Sequence, residues 1–191
     1  MYKKITKEEL DKILKEHEKW LKNTSAGKKA DLTSADLFGA NLSNVSLRFA
    51  NLTNANLSGA KLKYANLIGA KLTGANLSCV NLRYAYLSGV DLSDAILTGA
   101  NLRYALLTEA DLSGADLTNA NLSNAILSGA ILSGADLTGA ILSGANLTYA
   151  DLTLADFTFA NLSSAILSGA DLTGANLSGA NLGKIKENKE N

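Results

Sequence analysis

Residues 110–129 read ADLSG ADLTN ANLSN AILSG, which is four five-residue units with leucine always in the third place. The same spacing runs from Leu32 to Leu182, where leucine holds thirty of thirty-one positions and Phe157 holds the other. Alanine almost always stands two residues before the leucine. A repeat that covers so much of the chain decides the fold.

A period of five fits neither of the regular secondary structures. On an α-helix, successive leucines would be rotated by about 140° and would spread around the whole cylinder. On a straight strand, an odd spacing sends alternate leucines to opposite faces. A chain that bends by a quarter turn every five residues directs every leucine to a common axis. The spacing therefore predicts a square coil.

Each position of the unit has a role in such a coil. Alanine and leucine lie two residues apart and share the inward side, while the residue between them points outward. Serine or threonine follows the leucine at 24 of the 31 positions, and glycine occupies 14 of the positions after that. Because these small residues favour turns, we expect a corner after every leucine.

The unit resembles that of the pentapeptide-repeat family, written A(D/N)LXX, over residues 30–183. The resemblance implies an all-β solenoid, a right-handed quadrilateral β-helix with four repeats and hence twenty residues per coil. The outward pairs Lys63-Tyr64, Arg83-Tyr84 and Arg103-Tyr104 recur at that same interval. The repeats then make about 7.5 coils, which must stack because one coil buries too little apolar surface to fold alone.

Residues 1–29 differ in composition and predict a capping α-helix. Thr6-Lys7-Glu8-Glu9 matches a capping box, and Ile5 and Leu10 are placed as its hydrophobic staple. Apolar residues recur at helical spacing over about residues 7–22. We expect this helix to cover the first coil, with residues 23–29 as the link. Its stripe contains Leu10, Ile13, Leu14, His17 and Leu21, with Trp20 beside it.

The other end of the coil has no such cover in the sequence. Residues 184–191 contain one apolar residue among Lys, Glu and Asn, a composition that predicts a disordered charged tail. The last coil then presents an apolar end and free strand edges. We therefore expect a homodimer joined end to end through this coil. Its leucines are Leu167, Leu172, Leu177 and Leu182.

A formal net charge of zero conceals a strong segregation of charge. Residues 1–30 carry nine lysines and five acids, which gives +4. Residues 61–90 carry four bases and no acid, whereas residues 91–182 carry nine acids against the single base Arg103, which gives −8. The rod is therefore expected to be an electric dipole along its length.

The basic stretch contains a pattern that the repeat does not require. At a period of twenty, three basic residues form one outward column and three tyrosines form the next. Two interpretations are open: the columns stabilise the coil through cation–π contacts, or they bind an acidic or phosphate-bearing partner. The candidate interaction patch consists of Lys61, Lys63, Tyr64, Arg83, Tyr84, Arg103 and Tyr104.

A second column departs from the repeat, because the usual Asp or Asn before leucine is apolar at several positions twenty residues apart. Such a column is typical of a lateral interface if it is exposed. The competing interpretation is strand preference, since Ile96, Ile131 and Ile141 occur on other faces. The candidate lateral column contains Tyr86, Leu106, Ile126 and Ile166.

Residue sets for catalysis or metal binding are missing from the sequence. His17, the only histidine, lies on the packed stripe of the predicted helix, and Cys79, the only cysteine, lies at an outward corner. A filled rod offers no cleft in which paired carboxylates can act. We expect no enzyme activity, no cofactor and no metal site.

The same composition bounds the location and the partners. Without a signal-peptide pattern or a long apolar run, we expect a cytoplasmic protein that does not enter the membrane. A protein partner is expected, and nucleic acid is not.

Two classes of function remain open. The first is a structural or protein-interaction scaffold. The second follows from the resemblance, because some pentapeptide-repeat proteins imitate DNA, bind a type II topoisomerase and confer fluoroquinolone resistance. The acidic stretch 91–182 is compatible with that role. The basic middle, the uninterrupted repeats and the lack of an apolar C-terminal helix count against it.

Overall fold

The computed structural model describes residues 2–184, so the predicted tail lies almost entirely outside the described residues. In chain order its elements are β1 (Lys3–Lys4), α1 (Lys7–Lys22) and β2 (Ala35–Asp36), and β1 pairs with β2 in parallel. From there on, single-residue parallel bridges join each outward residue to the one twenty positions later. The coil therefore contains four repeats.

The bridges define four faces, which we number by the outward residue that precedes each leucine. Face 1 begins at Asp31, face 2 at Asp36, face 3 at Asn41 and face 4 at Ser46, and each continues in steps of twenty. A corner is named by the two faces that it joins. The pairing stays in single-residue bridges because a turn interrupts the strand after every leucine.

Every corner is the same type of turn. The leucine carbonyl accepts a hydrogen bond from the alanine N–H three residues later, as between Leu112 O and Ala115 N at 3.1 Å. The third residue of the turn has a positive φ whether it is Gly114 (64°) or Asn119 (56°), and the second does not. These features define a type II turn, which explains the frequent glycine at this position.

The hydrogen bonds of one repeat account for its sequence. In the unit that starts at Asp111, the N–H groups of Asp111, Leu112 and Gly114 donate to carbonyls of adjacent coils at 2.7–3.0 Å. The N–H of Ala115 closes the turn, and the remaining N–H, that of Ser113, donates to Oδ1 of Asp111 at 2.9 Å. Aspartate or asparagine before the leucine therefore accepts a hydrogen bond from the one backbone N–H of the repeat that has no carbonyl partner.

Alanine and leucine fill the interior, as the spacing predicts. Leu112, Ala115 and Leu117 are fully buried, and Phe157 occupies a leucine position with no exposed surface. Since the inward side chains of an interior coil pack against those of the coils on both sides, the stability of one coil depends on its neighbours.

Helix α1 lies against the first coil and has the predicted bounds. Thr6 Oγ1 accepts from Glu9 N at 3.1 Å, and Glu9 Oε2 accepts from Thr6 N at 2.8 Å, which completes the capping box. His17 is fully buried, and its Nδ1 accepts a hydrogen bond from Ala30 N at 3.1 Å. Strand β1 was not expected from the sequence, since Lys3-Lys4 carries no apolar pattern.

Candidate functional site

Corner 3–4 carries the three tyrosines of the sequence-predicted patch. Tyr64, Tyr84 and Tyr104 all have a φ near 60°, an uncommon conformation for a residue with a side chain. Their rings stack with centroids 5.2 and 5.1 Å apart and interplanar angles of 17° and 4°. The type II turn thus positions one tyrosine per coil so that the rings form a continuous aromatic stack.

The basic residue before each tyrosine lies over an aromatic ring. Lys63 Nζ is 4.8 Å from the centroid of Tyr64 and 5.9 Å from that of Tyr84. The guanidinium carbons of the two arginines are 5.3 and 5.5 Å from the ring that follows them in the chain. We call Lys63, Arg83, Arg103, Tyr64, Tyr84 and Tyr104 the cation–tyrosine ladder.

The cations of the ladder have no carboxylate partner among residues 2–184. The ion pairs in this part of the chain join Lys19 to Glu16 and Lys22 to Glu18, both within α1. The Nε atoms of Arg83 and Arg103 are buried and lack a hydrogen-bond partner in the structure. Like charges one coil apart repel each other, and the cation–π contacts with the tyrosine rings offset part of that repulsion. Lys61 lies nearby on face 3 and is exposed.

The apolar column of the sequence lies on face 4. Parallel bridges connect Tyr86 to Leu106 and Leu106 to Ile126, and the column continues through Asn146 to Ile166. Tyr86 is 45% exposed and Ile126 is 38% exposed. Only one inward alanine separates Tyr84 from Tyr86 in the chain, so this column borders the ladder. Sequence reasoning treated the two columns separately, whereas the structure makes them one surface.

The acidic residues of the stretch 91–182 lie on the other side of the rod. Seven of the nine occupy outward positions of faces 1 and 2, and Asp94 occupies the corner between those faces. This corner is diagonally opposite the ladder, so charge is segregated across the rod as well as along it. The face residues are Asp91, Asp111, Asp116, Asp136, Asp151, Asp156 and Asp171.

Four of these carboxylates have a pKa below the ordinary value and remain ionised at neutral pH: Asp91, Asp116, Asp156 and Asp171. Burial raises the pKa of Asp116, but hydrogen bonds from Thr118 and Thr98 outweigh it and hold the pKa below its ordinary value. The Thr158 side chain and backbone N–H lower the pKa of Asp156. The hydrogen bonds therefore favour the charged form of these four carboxylates.

The C-terminal coil is less well covered than the first. Leu167, Leu172 and Leu177 are half-buried, and Leu182 is 37% exposed. These are the leucines predicted to form the dimer end, and the described residues contain no element that lies over them as α1 lies over the first coil.

Sequence reasoning missed three exposed apolar corners near this end. Tyr149, Leu154 and Phe159 are 72–75% exposed. Each lies over a glycine of the next coil, where a Cβ atom would overlap the side chain; the glycines are Gly169, Gly174 and Gly179. A large apolar residue in the last position of a repeat was the available indication.

The structure also places the only histidine and the only cysteine of the sequence. His17 stacks on Trp20 with ring centroids 5.7 Å apart, and Cys79 is an exposed free thiol at corner 2–3. Within residues 2–184, no group of three or more His, Cys, Asp or Glu residues is placed to hold a metal ion. No helix in the same part of the chain has the length and apolar character needed to cross a membrane.

Comparisons with solved structures identify several similar proteins. HetL from the cyanobacterium Nostoc sp., a pentapeptide repeat protein involved in heterocyst differentiation regulation, is 34% identical over 87% of this chain and 92% of its own, with a TM-score of 0.49. A pentapeptide repeat protein from the Arabidopsis thaliana thylakoid lumen is 33% identical over 54% of this chain and 68% of its own, with a TM-score of 0.42. QnrB1, a plasmid-mediated fluoroquinolone resistance protein, is 22% identical over 79% of this chain and 91% of its own, with a TM-score of 0.47.

Comparison with family models gives the same assignment. No curated protein matches the chain. The model for pentapeptide repeats matches in eight copies, which together cover residues 30–185 without a gap. This range contains every coil and the whole candidate surface, and it agrees with the resemblance seen in the A(D/N)LXX units. The chain therefore belongs to the pentapeptide-repeat family.

Proposed function

We propose that this protein is a non-enzymatic interaction scaffold that binds a protein partner through the cation–tyrosine ladder and the apolar column beside it. One observation carries the proposal: three stacked cations without a carboxylate partner border exposed apolar side chains on a rigid coil. Repeat architecture explains the inward residues, but it requires neither cations nor tyrosines at corner 3–4.

The proposal also covers the hand of the coil, the role of α1, the location of the protein and its need for a cofactor. We infer a right-handed quadrilateral coil, since that is the form which the family resemblance implies, and we assign α1 the role of an N-terminal cap. The contacts of His17 and Ala30 support that role. We further propose a cytoplasmic location and no requirement for a cofactor.

Affinity capture from a cell lysate with quantitative mass spectrometry tests the proposal. The bait proteins are the wild type, Lys63→Glu/Arg83→Glu, and the control Lys12→Glu/Lys15→Glu, which makes the same charge change on α1. We expect a protein that the wild type and the control retain and the ladder variant loses. Identical protein sets on all three baits would contradict a role for the ladder.

The C-terminal coil is a separate part of the proposal. We propose that two copies join end to end there, because the half-buried leucines of this coil lie at an end without a covering helix in the described residues. Analytical ultracentrifugation of the wild type and of Leu172→Asp/Leu177→Asp tests the contact. We expect a dimer that the substitutions dissociate, and a wild-type monomer at micromolar concentration would refute it.

Binding to a type II topoisomerase by imitation of DNA is the second candidate. The observation that favours it is the acidic surface of faces 1 and 2, where Asp116, Asp136 and Asp156 follow one another over three coils. A DNA gyrase supercoiling assay in excess protein tests it. Inhibition or protection that Asp116→Asn/Asp136→Asn/Asp156→Asn abolishes would support this role, and an unaffected assay would exclude it.

A further inference from the structure

We propose that the partner segment bound by the ladder and the apolar column is an amphipathic acidic α-helix, lying parallel to the rod axis with one helical turn per coil. This inference rests on the proposed scaffold function and specifies the chemistry of the partner. Its recognition elements are Lys63, Arg83 and Arg103 on one side and Tyr86, Leu106 and Ile126 on the other.

The acidic character of the partner follows from the unpaired cations. Three positive charges stand one coil apart. The carboxylates of the stretch 91–182 lie mainly on faces 1 and 2, which meet at the corner diagonally opposite the ladder. The cations are held over tyrosine rings and are therefore ordered before any partner arrives. Carboxylates placed opposite them would relieve their mutual repulsion, which is a form of electrostatic complementarity.

The apolar character of the partner follows from face 4. In this column, Asn66 Oδ1 accepts from Ile68 N at 3.2 Å and Asn146 Oδ1 accepts from Thr148 N at 3.0 Å. The apolar side chains between them, such as Tyr86 and Ile126, cannot accept that bond and are more than a third exposed. Three consecutive coils thus lack a local hydrogen bond and present an apolar strip, which a partner's apolar side chains would cover.

The spacing selects a helix over an extended strand. The centroids of successive tyrosine rings are 5.2 and 5.1 Å apart, and successive turns of an α-helix are about 5.4 Å apart. Across the two steps of the ladder, the difference amounts to about 0.5 Å. Side chains on one face of a strand repeat at about 6.8 Å, so they fall out of register by about 3 Å over the same steps.

The orientation of the helix about its own axis is also defined. Its acidic flank lies over the ladder at corner 3–4, and its apolar stripe lies over face 4. Glu109 stands at corner 4–1, on the opposite edge of that face. The partner's other flank is therefore expected to be free of acidic residues, because a carboxylate there would be repelled by Glu109.

A designed peptide tests the inference by fluorescence anisotropy with the full-length protein. The peptide has eighteen residues, a leucine stripe and three glutamates placed one per turn along one flank of a helix. One control peptide has glutamine in place of the three glutamates. A second keeps the leucines and the glutamates but contains two central prolines in place of alanines, which prevents a continuous helix.

Matched protein variants locate the binding site. The ladder variant is Lys63→Gln/Arg83→Gln/Arg103→Gln, and the control variant Lys12→Gln/Lys15→Gln/Lys71→Gln removes the same charge elsewhere. A third variant, Leu106→Ser/Ile126→Ser, removes apolar surface and keeps the cations. Thermal melts of all variants establish that the coil is intact, since each substituted side chain is wholly or partly exposed.

The inference expects the glutamate peptide to bind at least ten times more tightly than either control peptide. Binding should weaken at least tenfold in the ladder variant and in the face 4 variant, and less than twofold in the control variant. Equal binding of the proline peptide would overturn the helix, and equal binding by the ladder variant would overturn the site.

Two further outcomes would also overturn the inference. One is an absence of measurable peptide binding to the wild type. The other is tighter binding of a single-stranded oligonucleotide at the same salt concentration, which would assign the ladder to stacked bases and phosphates instead. In either case, capture of a ladder-dependent protein from a lysate would leave the scaffold function standing, so the two proposals fail separately.

Discussion

The two ends of the coil are built from the same repeat and differ in what lies against them. At the N-terminal end, α1 packs on the first coil, and Leu37 and Leu42 are no more than 2% exposed. At the C-terminal end, Leu177 is half-buried and Leu182 is 37% exposed. An inward direction therefore does not by itself bury a leucine, because burial also requires a layer above and below it.

This difference bears on the end-to-end dimer that we propose. A covered end is closed to further stacking, whereas an open end keeps apolar surface that another molecule can bury. The corners near the open end, Tyr149 and Phe159, add to that surface. Repeat proteins therefore depend on atypical residues at their ends for solubility and for assembly.

Truncation of one leucine at each end is expected to give the largest contrast. Leu42→Ala removes a fully buried side chain and should lower the free energy of unfolding by about 2–5 kcal/mol. Leu177→Ala removes a half-buried one and should lower it by on the order of 1 kcal/mol. Chemical denaturation of dilute protein measures both values.

The same pair of variants also tests the end-to-end dimer. If two copies bury Leu177 between them, the effect of Leu177→Ala should grow with protein concentration and that of Leu42→Ala should not. Equal losses in dilute protein would contradict the difference in cover between the ends.

A glycine at a corner tests whether a turn in the first coil and a turn further along the rod have the same backbone requirement. Gly39 and Gly134 have φ values of 64° and 65°, and a Cβ atom at either position would meet nothing within 4 Å. Alanine at each should therefore lower the free energy of unfolding by about 1–2 kcal/mol through backbone strain alone. Ser133→Ala is the control, since its φ is not positive. Clearly unequal losses at the two glycines would show that the corners are not equivalent.

Removing a capping interaction of α1 should lower the free energy of unfolding by less than the truncation of a buried leucine does. Thr6→Ala removes one hydrogen bond of the capping box and should lower the free energy of unfolding by about 1 kcal/mol. Thr173→Ala near the other end removes a side-chain hydrogen bond to Asp171 on an exposed corner. This substitution should change the free energy of unfolding by less than about 0.5 kcal/mol. Equal effects in thermal melts would show that the capping box does not support the covered end.

Acidification should destabilise the covered end through a single group. Burial lowers the pKa of His17 below its ordinary value of 6.5, and the positive charge of Lys29 acts in the same direction. The unfolded chain then binds a proton at a higher pH than the folded chain, so this stability is present above pH 6.5 and is lost as the pH falls below it.

Denaturation curves of wild type and His17→Gln between pH 7.5 and 5 measure this dependence, at values of pH chosen around the ordinary pKa. The loss on acidification should be smaller in the variant, since it lacks the titrating group. A wild-type curve as flat as that of the variant would rule out the contribution of His17.

Several parts of the structure were predictable from local sequence. The five-residue spacing gives the inward residues, the family resemblance implies the coil of twenty, and the interval of the Lys/Arg–Tyr pairs agrees with that period. The bounds of α1 follow from the capping box at Thr6 and the apolar stripe that ends before Asn23. Strand β1 had no such pattern, because its two exposed lysines pair through their backbone.

The candidate surface was predictable only as separate columns. The spacing of Tyr84 and Tyr104 indicates a stack, but it does not show that the ring column borders Tyr86 and Leu106. That relation depends on the turn, since φ near 60° at each tyrosine determines where its side chain leaves the corner. The gathering of acids on faces 1 and 2 likewise requires the register of the coils.

The sequence by itself determined the interior of this protein, because leucine and alanine at fixed places in a five-residue unit all point inward when the chain turns after every leucine. The tertiary structure decided the exterior. Residues twenty apart become neighbours only when the coils stack, so the cation–tyrosine ladder, its apolar border and the diagonally opposite acids exist as surfaces only in the folded rod. The physical reason is that the inward direction of a side chain is set within each repeat, whereas a surface arises from the register between repeats.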